Sequence, residues 1–259
     1  MEAFNDEKWA TERGVYFNTA TTKDIEELKL FLLHNYYPDE IIGRILGTAN
    51  GNSWVDKYAR YLDYRDIMVD PIRHNMVSVP CSIVARSTVD SSIIGCRTGA
   101  IYDRKTKIKD SCVPDFLSDL PKWIRVPQKL LNYANYQALM RDLSYSKEDA
   151  FNDLQDSGDI IYIDGALCVS RTRRGEGLGA EMTKRAYKIA LDAGCKYTYI
   201  LATMNNSQRL AHKLGGAKVL HEVRYENYRV DKMGRPFLSD TGEHEVAQVI
   251  AVDHNSVVM

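Results

Sequence analysis

Leu167-Cys-Val-Ser-Arg-Thr-Arg-Arg-Gly-Glu-Gly-Leu-Gly-Ala180 is the stretch that decides the fold. Its first three residues close an apolar run, Ile160 to Val169, that reads as a strand. From Leu178 onward, Met182, Ala186, Ile189 and Ala190 recur on one face of a helix that Gly194 ends. Between strand and helix, Gly175, Gly177 and Gly179 let backbone approach a bulky anion without interference from Cβ atoms. The helix start turns unpaired N–H groups and the positive end of its dipole toward that anion. Arg171, Arg173 and Arg174 add charge beside it. The stretch reads as a pyrophosphate cradle, and the competing reading is a plain glycine turn.

A dinucleotide site is the chemical rival, because Gly175, Gly177 and Ala180 fit the G-x-G-x-x-G/A pattern. Two features oppose it. The next strand, Lys196 to Thr203, ends without the acidic residue that would hold a ribose, and too little chain follows Gly179 for a six-stranded doubly wound domain.

Working outward, the C-terminal part reads as Tyr197 to Ala202 (strand), Ser207 to Leu214 (helix), then Val219 to Tyr228 and Val246 to Val252 (strands). Upstream, Gly14 to Ala20 is a strand, and Thr21 with Asp24 forms a capping-box-like start to a helix carrying Ile25, Leu28, Leu32 and Tyr36, which Pro38 ends. A short helix holding Ile41, Ile42, Ile45 and Leu46 follows. Val77 to Arg86 and Ile93 to Ile101 read as a hairpin. Residues 103–126 are a charged excursion with Pro114 and Pro121, and residues 128–154 are helical. Residues 1–13 read as a loosely attached polar tail, leaving one domain over 14–259. The expectation is a single α/β domain with a mixed, mostly antiparallel twisted sheet, whose strands bearing Leu167 and Tyr199 lie side by side and splay apart beyond Val169 to admit a flat arm.

Composition bounds the rest. The 259 residues are 44% hydrophobic and 27% charged, with a net charge of -1, which gives no field to attract nucleic acid. No apolar run is long enough to span a membrane, and the acidic start does not read as a signal peptide. The five cysteines are an odd number with no C-x-x-C spacing, which fits a reducing, cytoplasmic setting better than a disulfide framework, and suggests no metal site. Monomer and dimer are not distinguished.

Two motifs together resemble the GNAT superfamily of acetyltransferases. That family's Gln/Arg-x-x-Gly-x-Gly/Ala pattern is met by Arg174, Gly177 and Gly179, after a strand with Leu167 and Val169 two apart. Its Asn- or Ser-containing turn and helix ending in Lys-Leu-Gly-Phe is met by Asn205 to Gly215, with Gly216 in the Phe place. Around them, Tyr37 to Gly47 and Tyr225 to Gly234, with His244 ahead of the last strand, resemble segments of the insect and nematode arylalkylamine N-acetyltransferases. In the first segment Asp39 and Glu40 are kept, while Ile41, Ile42 and Gly43 replace the usual Pro-Leu-Asn.

The resemblance implies acetyl-CoA as co-substrate and a small arylalkylamine-type amine as acceptor. Alternatives are a protein or peptide amine, and a non-catalytic acyl-CoA-binding relic. It assigns Leu167, Val169, Arg174, Gly175, Gly177, Leu178, Gly179, Ala180 and Asn206 to the cofactor. A backbone N–H at Val169 or its neighbour would face the thioester oxygen. The tyrosine that many members use to protonate the leaving thiolate is Ala211 here, so hydroxyls near the helix start, Ser207 and Thr203, take that role by resemblance. Ser207 also has a competing reading as helix N-cap. Glu40 is the expected base, because an alkylammonium must lose a proton before it attacks. Asp39, His221, His244 or an ordered water are the fallbacks, and His212 is a further candidate base.

Overall fold

A computed structural model describes residues 4–36, 38–41, 81–103, 160–228 and 241–257. The expected short helix beyond Ile41, the excursion at 103–126 and the helical stretch at 128–154 lie outside them.

The described residues form helix α1 (Asp6–Arg13), strand β1 (Val15–Thr19), helix α2 (Ile25–Asn35), and strands β2 (Ile83–Ser87), β3 (Ile93–Asp103) and β4 (Ile160–Val169). Helix α3 (Leu178–Asp192), strand β5 (Tyr197–Ala202), helix α4 (Asn205–Leu214) and strands β6 (Ala217–Arg224) and β7 (Val246–Asp253) follow. One seven-stranded sheet runs in the order β1-β2-β3-β4-β5-β7-β6. Every neighbouring pair is antiparallel except β4 and β5. This mixed sheet bears out the expected fold class and excludes a doubly wound parallel sheet, and with it the dinucleotide reading.

The N-terminal stretch corrects the expectation of a loose tail. Residues 6–13 form a helix, capped by the Asn5 side chain, which accepts from Lys8 N–H at 2.8 Å, and closed by Gly14 in the left-handed region. Its eight residues hold one large apolar side chain, Trp9, which meets Phe17 edge-on with ring centroids 5.3 Å apart. Asp6 pairs with Arg185 of α3 at 2.7 Å. A single anchor on a polar helix leaves no periodic stripe for a sequence reading to find.

Alternation along the strands sends side chains to two faces. Val84, Ile93, Cys96 and Cys168 face α2, with Leu28 and Leu32, whereas Ile83, Ala85, Ile94 and Tyr162 face α3, with Leu178 and Met182. Tyr187 of α3 packs with Ala211 and Leu214 of α4, so the two helices share a face. The capping box forms as expected, with the Thr21 N–H and hydroxyl donating to Asp24 Oδ2 at 2.6 and 2.8 Å. Glu27 ties α2 to the β2–β3 hairpin, accepting from Arg86 at 2.9 Å and from Ile93 N–H at 2.7 Å. Helix α2 is thereby fixed over the edge of β4.

Strands β4 and β5 pair only at Tyr162↔Thr198 and Ile163↔Tyr199. They therefore part after Ile163, not beyond Val169 as expected. The cause is a bulge: Arg97 faces Leu167 and Gly99 faces Asp164, so Gly165 and Ala166 stand opposite Thr98 alone. The Thr98 hydroxyl accepts from Ala166 N–H at 2.7 Å. A Cβ on Gly165 would come 2.5 Å from the Thr98 hydroxyl, so glycine is required for this approach. Among the described residues no helix is long and apolar enough to cross a membrane, and no group of three metal-ligating side chains occurs.

Candidate active site

At one end of the opening between β4 and β5 lies the glycine loop. Gly175 and Gly177 have φ of 86° and 88°, a conformation that side-chain-bearing residues rarely adopt, and Gly177 is the N-cap of α3. The helical ladder begins with Glu181 N–H to Gly177 O at 3.1 Å, so the N–H groups of Leu178, Gly179 and Ala180 have no partner within the helix. The Leu178 side chain is buried in the core, which leaves only its backbone available to a ligand. A Cβ on Gly179 would lie 3.8 Å from Leu167 and 3.9 Å from Val169, which places those strand residues beside the helix start.

The arginines of the loop are held from the α2 side. Arg174 donates to Val169 O at 3.1 Å and to Asn35 O at 2.9 Å, and pairs with Asp39 at 2.8 Å. Arg171 reaches the same carboxylate at 2.6 Å. Burial pushes the Asp39 carboxyl upward, but the hydrogen bonds and charges of the two arginines outweigh it and hold it below its usual range. Arg173 turns away to Glu176 and to Arg13 O. Asp39 is thus occupied at the cradle, which corrects its place as a fallback base.

Beyond the paired residues the cleft is lined by Asp164, Gly165 and Leu167 on one side and by Thr203, Ser207 and Ala211 on the other. Ser170 N–H donates to Ile94 O at 2.8 Å, so by alternation the Val169 N–H points away from β3, to the open side of β4.

The other end of the site is built by the turn after α2. The Tyr36 carbonyl accepts from both Asp39 N–H and Glu40 N–H at 3.0 Å, which folds the chain back and carries Glu40 inward. Glu40 is 2% exposed. The Thr203 hydroxyl, arriving from the end of β5, donates to Glu40 Oε1 at 2.9 Å. Tyr225, not anticipated from the sequence, donates to Thr203 O at 2.6 Å. Burial, with the Glu40 charge adding to it, raises the Tyr225 hydroxyl far above its ordinary range, so it stays a donor. Two of the three expected catalytic side chains therefore meet directly.

Ser207 is not the helix cap. Helix α4 starts at Asn205 with Met204 as N-cap, and Ser207 Oγ donates to Met204 O at 2.8 Å. His244 Nδ1 accepts from Asn205 N–H at 3.2 Å, and Glu243 O accepts from the Asn205 side chain at 3.0 Å. His244 thus serves the helix start, while Asn206 is exposed and His221 lies on β6.

Residues 144–215 match the model of the Acetyltransferase (GNAT) family, spanning the strand, the glycine loop and the second motif. The GNAT match is confined to that segment, which builds both walls and both helix starts of the cleft. That match supports acetyl-CoA-dependent N-acetyl transfer to an amine. Three solved structures share the GNAT fold at low identity. Arylalkylamine N-acetyltransferase 2 from Aedes aegypti superposes with a TM-score of 0.65 at 20% identity, over 93% of this chain and 99% of that one. The polyamine N-acetyltransferase of Drosophila melanogaster gives 0.60 at 18%, over 92% and 99%. A second Aedes aegypti protein, putative arylalkylamine N-acetyltransferase 7, gives 0.62 at 16%, over 93% and 87%. No curated protein sequence matches.

Proposed function

We propose that this acetyltransferase acts on a small primary amine of the arylalkylamine type, with Glu40 as the base. The observation that carries the reading is the Thr203–Glu40 hydrogen bond of 2.9 Å, at the cleft and far from the pyrophosphate loop in sequence. In this reading the buried carboxylate, steadied by the Thr203 hydroxyl, pairs with an incoming ammonium and takes its proton. Thr203 then orients the base, and Tyr225 holds Thr203 through its carbonyl. The Val169 N–H, facing the open side of β4, is the donor we assign to the thioester oxygen. With Ala211 in the usual tyrosine place, Ser207 is the hydroxyl nearest in role to the leaving sulfur. Its proton rests on Met204 O, and a rotamer change frees it. Leu167, Arg174, Gly175, Gly177, Leu178, Gly179, Ala180 and Asn206 complete the cofactor set we assign. The arylalkylamine and polyamine N-acetyltransferases that share this fold support a small acceptor.

The test is thiol release from acetyl-CoA with tryptamine, dopamine, agmatine and a histone peptide. Turnover with an arylalkylamine well above the peptide supports the proposal. Preference for the peptide overturns it in favour of a protein substrate. Acetyl-CoA binding without turnover of any amine supports a non-catalytic relic.

A further inference from the structure

Gly175 and Gly177 give the pyrophosphate loop its shape and also its weakness. Glycine loses more conformational freedom on ordering than any other residue, and a loop that must order as its anion arrives binds more weakly than one already in place. Gly177 has no side chain with which to anchor itself, so the loop must be held from outside. On the α2 side the contacts of Arg174 hold it. On the opposite face of the sheet, beside α3, the holding element is α1.

Two contacts join α1 to the loop. The Trp9 ring lies 4.0 Å from where a Cβ on Gly177 would stand, and it is half-buried against the cluster that holds Leu178 and Met182. Phe17 meets that ring edge-on and fixes its tilt. Arg173 supplies the second contact. Its Nη2 donates at 2.7 Å to the carbonyl of Arg13, in the last turn of α1, where the helix leaves carbonyls open. The same guanidinium donates to both oxygens of Glu176 at 2.8 Å. These hydrogen bonds, with the charges of Arg173 and Arg13, hold the Glu176 carboxyl below its usual range, so the carboxylate within the loop is ionised and engaged by arginine. The far end of α1 is tied as well. Arg185 of α3 pairs with Asp6 and with Glu181, both at 2.7 Å, and its guanidinium lies 4.4 and 4.3 Å from the ring centres of Phe4 and Phe17.

The Arg185 end would suffice to keep a polar helix attached, whereas the Trp9 and Arg173 end bears on the loop itself. We propose that α1 is a positioning element for acetyl-CoA: Trp9 backs Gly177 and Arg173 stitches the helix to the loop, so that the loop stands ordered before the anion arrives. This rests on the loop being the pyrophosphate cradle. Trp9 and Arg173 act through the loop backbone and are positioning residues. Linkage makes the effect reciprocal. A helix that strengthens acetyl-CoA binding by some factor is held more firmly, by the same factor, once acetyl-CoA is bound. A helix packed for stability alone carries no such link.

Hydrogen exchange of the α1 amides in the full chain, with and without saturating acetyl-CoA, reads that reciprocity. Exchange should slow by about tenfold on binding, within the usual range of coupling between two sites. Trp9→Ala should weaken calorimetric acetyl-CoA affinity by about the same factor, raising KM for acetyl-CoA while kcat holds. Trp9→Phe keeps a ring behind Gly177 and should recover most of the loss. Arg173→Met together with Glu176→Gln removes the stitch without leaving a carboxylate unpaired beside the anion, and should weaken affinity in the same direction. A folded Trp9→Ala variant with wild-type affinity overturns the proposal, as does exchange in α1 that acetyl-CoA leaves unchanged. The wild-type exchange measurement needs no variant and decides alone if the variants do not fold. Wild-type protein that binds no acetyl-CoA at all overturns the cradle itself, which separates the two failures.

Discussion

The two ends of the cleft are made in opposite ways. The donor end, which we assign to acetyl-CoA, is, apart from Asn206, one continuous stretch, in which strand β4, the glycine loop and the first turn of α3 follow each other and offer backbone N–H groups and nearby arginines. The acceptor end is assembled across the chain. Glu40 comes from the turn after α2, Thr203 from the end of β5, and Tyr225 from beyond β6, with Glu40 and Thr203 163 positions apart. The donor end depends on local conformation, which glycine φ angles and a helix dipole fix. The acceptor end depends on tertiary packing that brings three elements within hydrogen-bond distance. Substitutions should therefore separate affinity for acetyl-CoA from chemistry on the amine.

The largest separation is expected for Glu40→Gln. It should lower kcat/KM for the amine by about 10²-fold or more, the usual scale for losing a general base. Calorimetry should find acetyl-CoA affinity unchanged. Gly177→Val should do the reverse, weakening acetyl-CoA binding by about 30-fold through its Cβ and its strained φ. A melting curve would separate this from the folding cost of about 1–2 kcal/mol that a left-handed residue brings. Thr203→Val should cost about tenfold in kcat/KM by removing one hydrogen bond to a charged group, with activity returning in Thr203→Ser. Ser207→Ala should lower kcat by about fivefold, on the order of one lost neutral hydrogen bond. Its melting temperature should hold, because Met204 and not Ser207 is the N-cap. The smallest effect is at the donor end. Asp39→Asn frees Arg171 and Arg174 from a carboxylate and should tighten acetyl-CoA by about threefold at low salt, fading as salt screens the exposed charges.

The same division governs what the sequence made legible. The glycine loop, the stripe on α3 and the Thr21–Asp24 box are local patterns, and each stands where the spacing puts it. Glu40 and Thr203 were named separately by resemblance, but no spacing said that they touch. The point where β4 leaves β5 was misplaced because the bulge is set by Thr98 on the neighbouring strand, a cross-strand contact invisible in β4 itself. Helix α4 begins two residues before its expected start because His244 and Glu243, from far along the chain, hold Asn205. Helix α1 escaped notice because its order comes from caps and one tryptophan rather than from periodicity.

The central claim is that Glu40 takes the amine proton, and the pH dependence of kcat/KM at saturating acetyl-CoA tests it most directly. Wild-type protein should show activity rising through an acidic limb as the base ionises, and Glu40→Gln should lose both that limb and most of the rate. A Glu40→Gln variant that keeps full activity and the same acidic limb would contradict the account and leave Glu40 a structural partner of Thr203.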